Sequence, residues 1–119
     1  MPSKQKHIKQ AEKNERFFIS FPLASTPYLD WVVTGMFYTA LHYVDAYLAA
    51  KSIHPSDHYE RNQLVAREKE LRLIEQEYLS LYNSSRLARY ECKEFKPSEV
   101  RTILDTDLTK VCNHVKPLL

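Results

Sequence analysis

A single glycine, Gly35, stands in this chain of 119 residues. Strand-rich folds use glycine in their turns and bulges, where the backbone takes angles that other residues resist. A chain so poor in glycine is therefore expected to form long helices joined by few connections. The prolines mark where those helices stop and start. Pro22 and Pro27 bracket a short loop, Pro55 breaks the chain again, Pro97 sits where a last helix can open, and Pro117 closes it.

Between these marks the apolar residues keep helical spacing. A first helix is expected from about Lys4 to Ile19, with Ile8, Ala11, Glu15 and Phe18 along one face. A second runs from near Pro27 to about Lys51 and is apolar almost all round, as suits a helix with neighbours on several sides. Ser56 or Asp57 can cap a third. There Leu64, Leu71 and Tyr78 repeat every seven residues, with Ile74 and Leu81 between them, before the pattern loosens at "YNSSRLARYECKEFKP". Val100, Ile103, Leu104, Leu108, Val111 and Val115 then define a fourth. Short links between such helices give an all-α, antiparallel up-and-down bundle of four to five helices, one domain over residues 1–119.

Composition narrows the function classes. The chain is 44% hydrophobic and 12% aromatic, which excludes intrinsic disorder. Its 17 basic and 15 acidic side chains leave a net charge of only +2, too balanced to announce nucleic-acid binding by itself. The charge is uneven, however. Residues 1–19 and 83–96 are mildly basic and flank an acidic stretch at 57–82, so an anion site should draw on the two basic segments. Cys92 and Cys112 form no CxxC pattern and read as free thiols of a reduced, cytoplasmic protein. The start "MPSKQKHIKQAEKN" lacks the apolar run of a secretory signal. The most apolar segment, Trp31 to Val44, is bounded by Asp30 and Asp45 after 14 residues, where a membrane span needs about 18. No membrane contact is expected.

Three groups of residues carry the chemistry. The first lies in "HPSDHYERN", His54 to Asn62, where His58 and Arg61 stand three apart on a helix start. A histidine and a guanidinium on one spot can move a proton and hold a phosphate. Equally, the pair can simply decorate a helix N-terminus. Arg61 is expected at the edge of the packed stripe, so that its removal spares the fold. His54 and His58 are four apart with Pro55 between them and no third ligand near, so no metal or other cofactor is expected. Nucleophile-elbow, P-loop and HExxH patterns are absent.

The second group is "SRLARYE", where Arg86, Arg89 and Tyr90 are close if helical and are candidates for phosphate binding. A solvated basic stretch beside a core tyrosine is the alternative. One continuous third helix would hold this group roughly 35–40 Å from His58 at 1.5 Å per residue. The two clusters would then meet only across a dimer, or if the chain folds back after Ser84. The third group is a polar line on the second helix, Asp30, Thr34, Tyr38, His42 and Asp45, with His7 and Asn14 of the first helix as candidate partners. Buried polar groups are costly unless paired, so a structural network or a ligand pocket is expected here.

The segments "DWVVTGMFYTALHYVDAYLAA", "HPSDHYER" and "YLSLYNSSRLARYE" together resemble the small bacterial and archaeal HEPN-domain proteins, over about residues 7–115. The resemblance implies a four- or five-helix up-and-down bundle, typically dimeric. Many such domains are metal-independent ribonucleases of toxin–antitoxin, abortive-infection or CRISPR systems, and others bind RNA or nucleotides without cleaving them. Proteins of this size often work beside a nucleotidyltransferase or an antitoxin. The ribonuclease motif of the family is an arginine, four to six residues, then a histidine. No arginine here precedes a histidine at that distance, and His58-x-x-Arg61 has the two residue types in reverse order. Carried over, His58 would serve as acid or base on a ribose 2′-hydroxyl and Arg61 would stabilise charge on the phosphate. A non-catalytic dimerisation or antitoxin-like module is the alternative function, and a homodimer is expected in either case because the second helix is so apolar.

Overall fold

The computed structural model describes residues 1–119, and every regular element in it is helical. Helix α1, Lys4–Ile19, begins where the Ser3 side chain accepts the backbone N–H of Lys6. It forms an antiparallel pair with α2, Leu29–Ala50, so that His7 meets His42 and Phe18 lies against Gly35. The lone glycine serves a close approach. A Cβ at position 35 would stand 3.2 Å from Phe18 Cβ and 3.3 Å from Phe17 Cδ2.

Helix ends, where glycine is common, use other residues here. Ser52 and Cys92, just beyond the ends of two helices, take the left-handed φ values of 60° and 52°. At Ser52 the closing pattern is complete. The Ile53 N–H reaches the Leu48 carbonyl and the Ser52 N–H reaches that of Ala49, both at 2.9 Å.

Helix α3, His58–Arg67, is capped by Asp57, whose Oδ1 accepts the Glu60 N–H at 2.8 Å. It stops at Glu68, which is extended with ψ 125°. A 3-10 turn at Arg72–Ile74 then leads into α4, Glu75–Tyr90. The single third helix expected from the seven-residue repeat is thus two helices with a fold-back at 68–74, and not after Ser84. No glycine or proline marks the break. Two tertiary contacts lie at it: Lys51 pairs with Glu68 at 2.7 Å, and His114 Nε2 donates to the Glu70 carbonyl at 2.6 Å. The bend lets Leu71 and Ile74 both reach full burial while Leu64 and Tyr78 stay in the same core.

The last helix opens at Pro97, with Glu99 accepting the Lys96 N–H at 3.0 Å. Helix α5, Pro97–Thr102, continues through a π-helical turn, Ile103–Leu108, into α6, Thr109–Val115, as one rod. It lies antiparallel to α4, with Ser80 bonded to Asp107 at 2.8 Å and Lys110 to Glu77 at 3.0 Å. Helix α2 is the centre. Val32, Val33, Met36, Phe37, Ala40 and Val44 are fully buried among α1, α4 and the C-terminal rod. The architecture is the all-helical bundle expected, and no helix is long and apolar enough to cross a membrane.

Candidate functional site

The polar line of α2 is where the other helices converge. Tyr38, His42 and Asp45 follow one another by four and three residues, so they share a face. The cap at Asp57 places His58 in the first turn of α3, and Arg61 three residues on reaches across to Asp45. Its Nε donates to Asp45 Oδ1 at 2.7 Å and its Nη2 to Oδ2 at 3.1 Å. This is a forked pair, and both side chains are at least nine-tenths buried. Burial opposes the charge, yet the Asp45 hydrogen bond and carboxylate hold the Arg61 guanidinium above its ordinary pKa. Arg61 is therefore a core residue and not the helix-edge side chain that its spacing suggested.

Its remaining Nη1 points at His58 Nδ1, 3.4 Å away. A guanidinium only donates, so this contact favours the tautomer in which Nδ1 is bare and Nε2 carries the proton. The ring is walled by Tyr82 at 5.5 Å, Phe37 at 5.7 Å and Tyr38 at 6.4 Å between centroids. Desolvation lowers the His58 pKa first, and the nearby Arg61 and Arg89 cations push the same way. His58 is a half-exposed imidazole in contact with one guanidinium and repelled by a second.

The fold-back at 68–74 brings Arg89 to this place within one chain. Its Nη1 donates to the hydroxyls of Tyr38 and Tyr90, both at 3.2 Å. Its Nε and Nη2 bond the carbonyl and hydroxyl of Ser85 at 3.3 and 3.2 Å. The guanidinium lies over the rings of Tyr90, Tyr38 and Phe37, at 4.9, 5.6 and 5.7 Å. None of the five ion pairs in the chain includes it. Arg61 and Arg89 thus differ in one decisive respect: Arg61 has a carboxylate and Arg89 has none.

Arg86 does not join this group. It is exposed in a shallow groove with Asn83, Leu87 and Glu91, away from the bonds that Arg89 makes. The expected network of His7, Asn14, Asp30, His42 and Asp45 also divides. His7 Nδ1 and His42 Nδ1 are 3.0 Å apart, one donating to the other, and Asp45 holds Arg61. Asn14 instead accepts from Gln10 at 2.9 Å on its own helix. Asp30 is half-exposed at the start of α2, where its backbone carbonyl takes the Thr34 hydroxyl at 2.8 Å. Sequence reasoning missed two members. Tyr78 is wholly buried with an unpartnered hydroxyl, and its pKa is raised by desolvation among Arg61, Asp45 and Tyr38. Tyr82 walls His58. Both stood in the heptad stripe or beside it, and only the break at Glu68 turns them toward α3.

Comparison of the chain with protein-family models, with curated proteins and with solved structures finds no match.

Proposed function

We propose that this chain binds the phosphate groups of RNA or a nucleotide through Arg89 and His58, as a HEPN-like module. One observation carries the reading: Arg89 is a half-buried cation held in place by phenols and a serine, with no counter-charge. Four of its five N–H groups are held by bonds to Ser85, Tyr38 and Tyr90, so a guanidinium so fixed offers an anion its charge and one free Nη2 N–H at little entropic cost. Tyr59 and Tyr90 are 72% and 67% exposed, and such rings give bases a stacking face. Along the outer side of α1, Lys6, Lys9, Lys13 and Arg16 add a cationic line suited to a phosphate backbone. Binding is better supported than cleavage, because Asp45 already occupies Arg61, which the ribonuclease reading needs at the phosphate.

Fluorescence anisotropy of a short labelled RNA, in EDTA and at two salt concentrations, tests this. Binding that weakens with salt and in Arg89→Gln supports it, and no binding by the wild type overturns it. Gel analysis of the same samples separates the two forms. Cleavage in EDTA lost on His58→Ala would make the chain a metal-independent ribonuclease of the kind found in defence and toxin–antitoxin systems. Intact RNA leaves a binding module.

A second reading, a non-catalytic dimerisation or antitoxin-like module, rests on a different surface. Phe17, Ile19, Tyr28 and Trp31 are 46–66% exposed near the turn between α1 and α2. Phe21 stacks edge-on with both Phe17 and Tyr28, at 5.1 and 6.2 Å. Exposed apolar residues grouped in this way fit a contact with a second copy. Light scattering should then give about twice the 14.1 kDa of one chain. A monomer at micromolar concentration would remove that reading. A nucleotidyltransferase or antitoxin partner, and a cytoplasmic setting, belong to the same HEPN-like proposal.

A further inference from the structure

Two helices, α1 and α2, bring three metal-binding side chains together around Asp45. His7 from α1 and His42 from α2 bring their Nδ1 atoms to 3.0 Å, and with a carboxylate oxygen of Asp45 all three donors lie within 4.8 Å of one another. His7 is 8% and Asp45 6% exposed, while His42 is half-buried. A cavity of about 230 Å³, lined by His7, Asp45, Arg61, Ile53, His54 and Pro55, opens beside them. His54 at its wall is a further imidazole.

We infer that His7, His42 and Asp45 form a binding site for a late first-row divalent cation, with Zn²⁺ as the reference ion and His54, on the wall of the adjoining cavity, as the candidate fourth ligand. The donor set is the first argument. Two imidazoles and a carboxylate with an open position suit Zn²⁺, Co²⁺ or Ni²⁺ and poorly suit Mg²⁺ or Ca²⁺. Geometry is the second. With Zn–N bonds of about 2.0–2.1 Å, nitrogens 3.0 Å apart subtend about 94° at the metal, and a tetrahedral angle asks them to part by only about 0.3 Å. The carboxylate must close by on the order of 1 Å, so Asp45 shifts toward the histidines together with the Arg61 paired to it.

Asp45 also has the support that a ligating carboxylate usually carries. Arg61 donates to both its oxygens and orients it, and each oxygen keeps a further lone pair that a metal can use. The Arg61 cation opposes a second positive charge nearby, so the expected affinity is micromolar and not nanomolar. Both imidazoles ligate through Nδ1, so the one that donates in the His7–His42 bond moves its proton to Nε2 when the metal binds. Sequence spacing cannot show this site, because its ligands lie 35 and 3 residues apart on two helices. It does not depend on phosphate binding at Arg89.

Isothermal titration of the metal-free chain with Zn²⁺, and visible spectroscopy with Co²⁺, test it. One ion per chain, a Co²⁺ d–d band, and at least tenfold weaker binding in His7→Gln and His42→Gln are expected. A smaller loss in His54→Gln would make His54 the fourth ligand. Circular dichroism checks that each variant is folded. Should either variant fail to fold, imidazole NMR of the wild type replaces it, and Zn²⁺ must then shift the His7 and His42 ring resonances. No binding at 100 µM Zn²⁺ in wild type, equal binding in folded variants, or ring resonances that Zn²⁺ leaves in place would overturn the site.

Discussion

Removing Asp45 leaves Arg61 buried with no counter-charge, and a buried pair broken on one side typically costs 3–5 kcal/mol. Asp45→Ala is therefore expected to lower stability by about 3 kcal/mol in urea unfolding, and an unchanged midpoint would place the pair in solvent. Tyr78 should behave in the opposite way. Its hydroxyl is buried without a partner, so Tyr78→Phe removes an unsatisfied group and should leave stability equal or raise it by up to about 1 kcal/mol. A clear loss would mean that the hydroxyl has a partner in solution. His58 supplies a pH test. Its folded pKa lies below 6.5, so the unfolded chain takes up the proton first as pH falls. The stability from keeping it neutral is present above 6.5 and is lost progressively below. By NMR its ring should titrate below 6.5 and move upward in Arg89→Gln, since one repelling cation is gone. A ring unmoved by that substitution would separate the two residues. In "HPSDHYERN" the capping by Asp57 was legible from residue type. The burial of Arg61 was not, because its partner lies 16 residues earlier on a helix whose rotation no local spacing records.

The chain's helices were legible because their signals are local: prolines at the joints, polar caps and apolar residues at helical spacing. What was hidden is tertiary. Between Leu64 and Tyr78 the heptad stripe is kept and all its members are buried, yet the helix breaks at Glu68. Helix-forming residues across 67–74 gave no reason to stop, and packing overrode propensity. The scarcity of glycine has a counterpart at the helix ends. Ser52 carries a left-handed φ of 60°, a conformation that disfavours any side chain with a Cβ. Ser52→Gly is expected to stabilise the chain by about 1 kcal/mol and raise its melting temperature by several degrees. No gain would mean that the Ser52 side chain earns its place by a contact elsewhere. At Gly35 the reverse holds. A bulky residue there must push α1 off α2, so Gly35→Leu should cost at least about 2 kcal/mol by overpacking.

For the whole molecule, the fold-back at 68–74 decides what the two clusters can do together. An unbroken third helix would have kept His58 and Arg89 apart in one chain. The observed bundle sets both against the Phe37 and Tyr38 rings. The same topology assigns the arginines different work: Arg61 ties α3 to α2, and Arg89 remains a fixed cation without a carboxylate. The polar line on α2 serves both sides, with Tyr38 toward Arg89 and His42 and Asp45 toward α1 and α3. Only the relation of helices in space reveals this division. The most direct measurement is an NMR titration of AMP into the wild type and Arg89→Gln, each first shown to be folded by its amide spectrum. The expected result is saturable shifts around His58, Ser85 and Tyr90 in wild type, with at least tenfold weaker binding in Arg89→Gln. Equal titrations of the two proteins, or shifts confined to the outer face of α1, would contradict a phosphate site at Arg89.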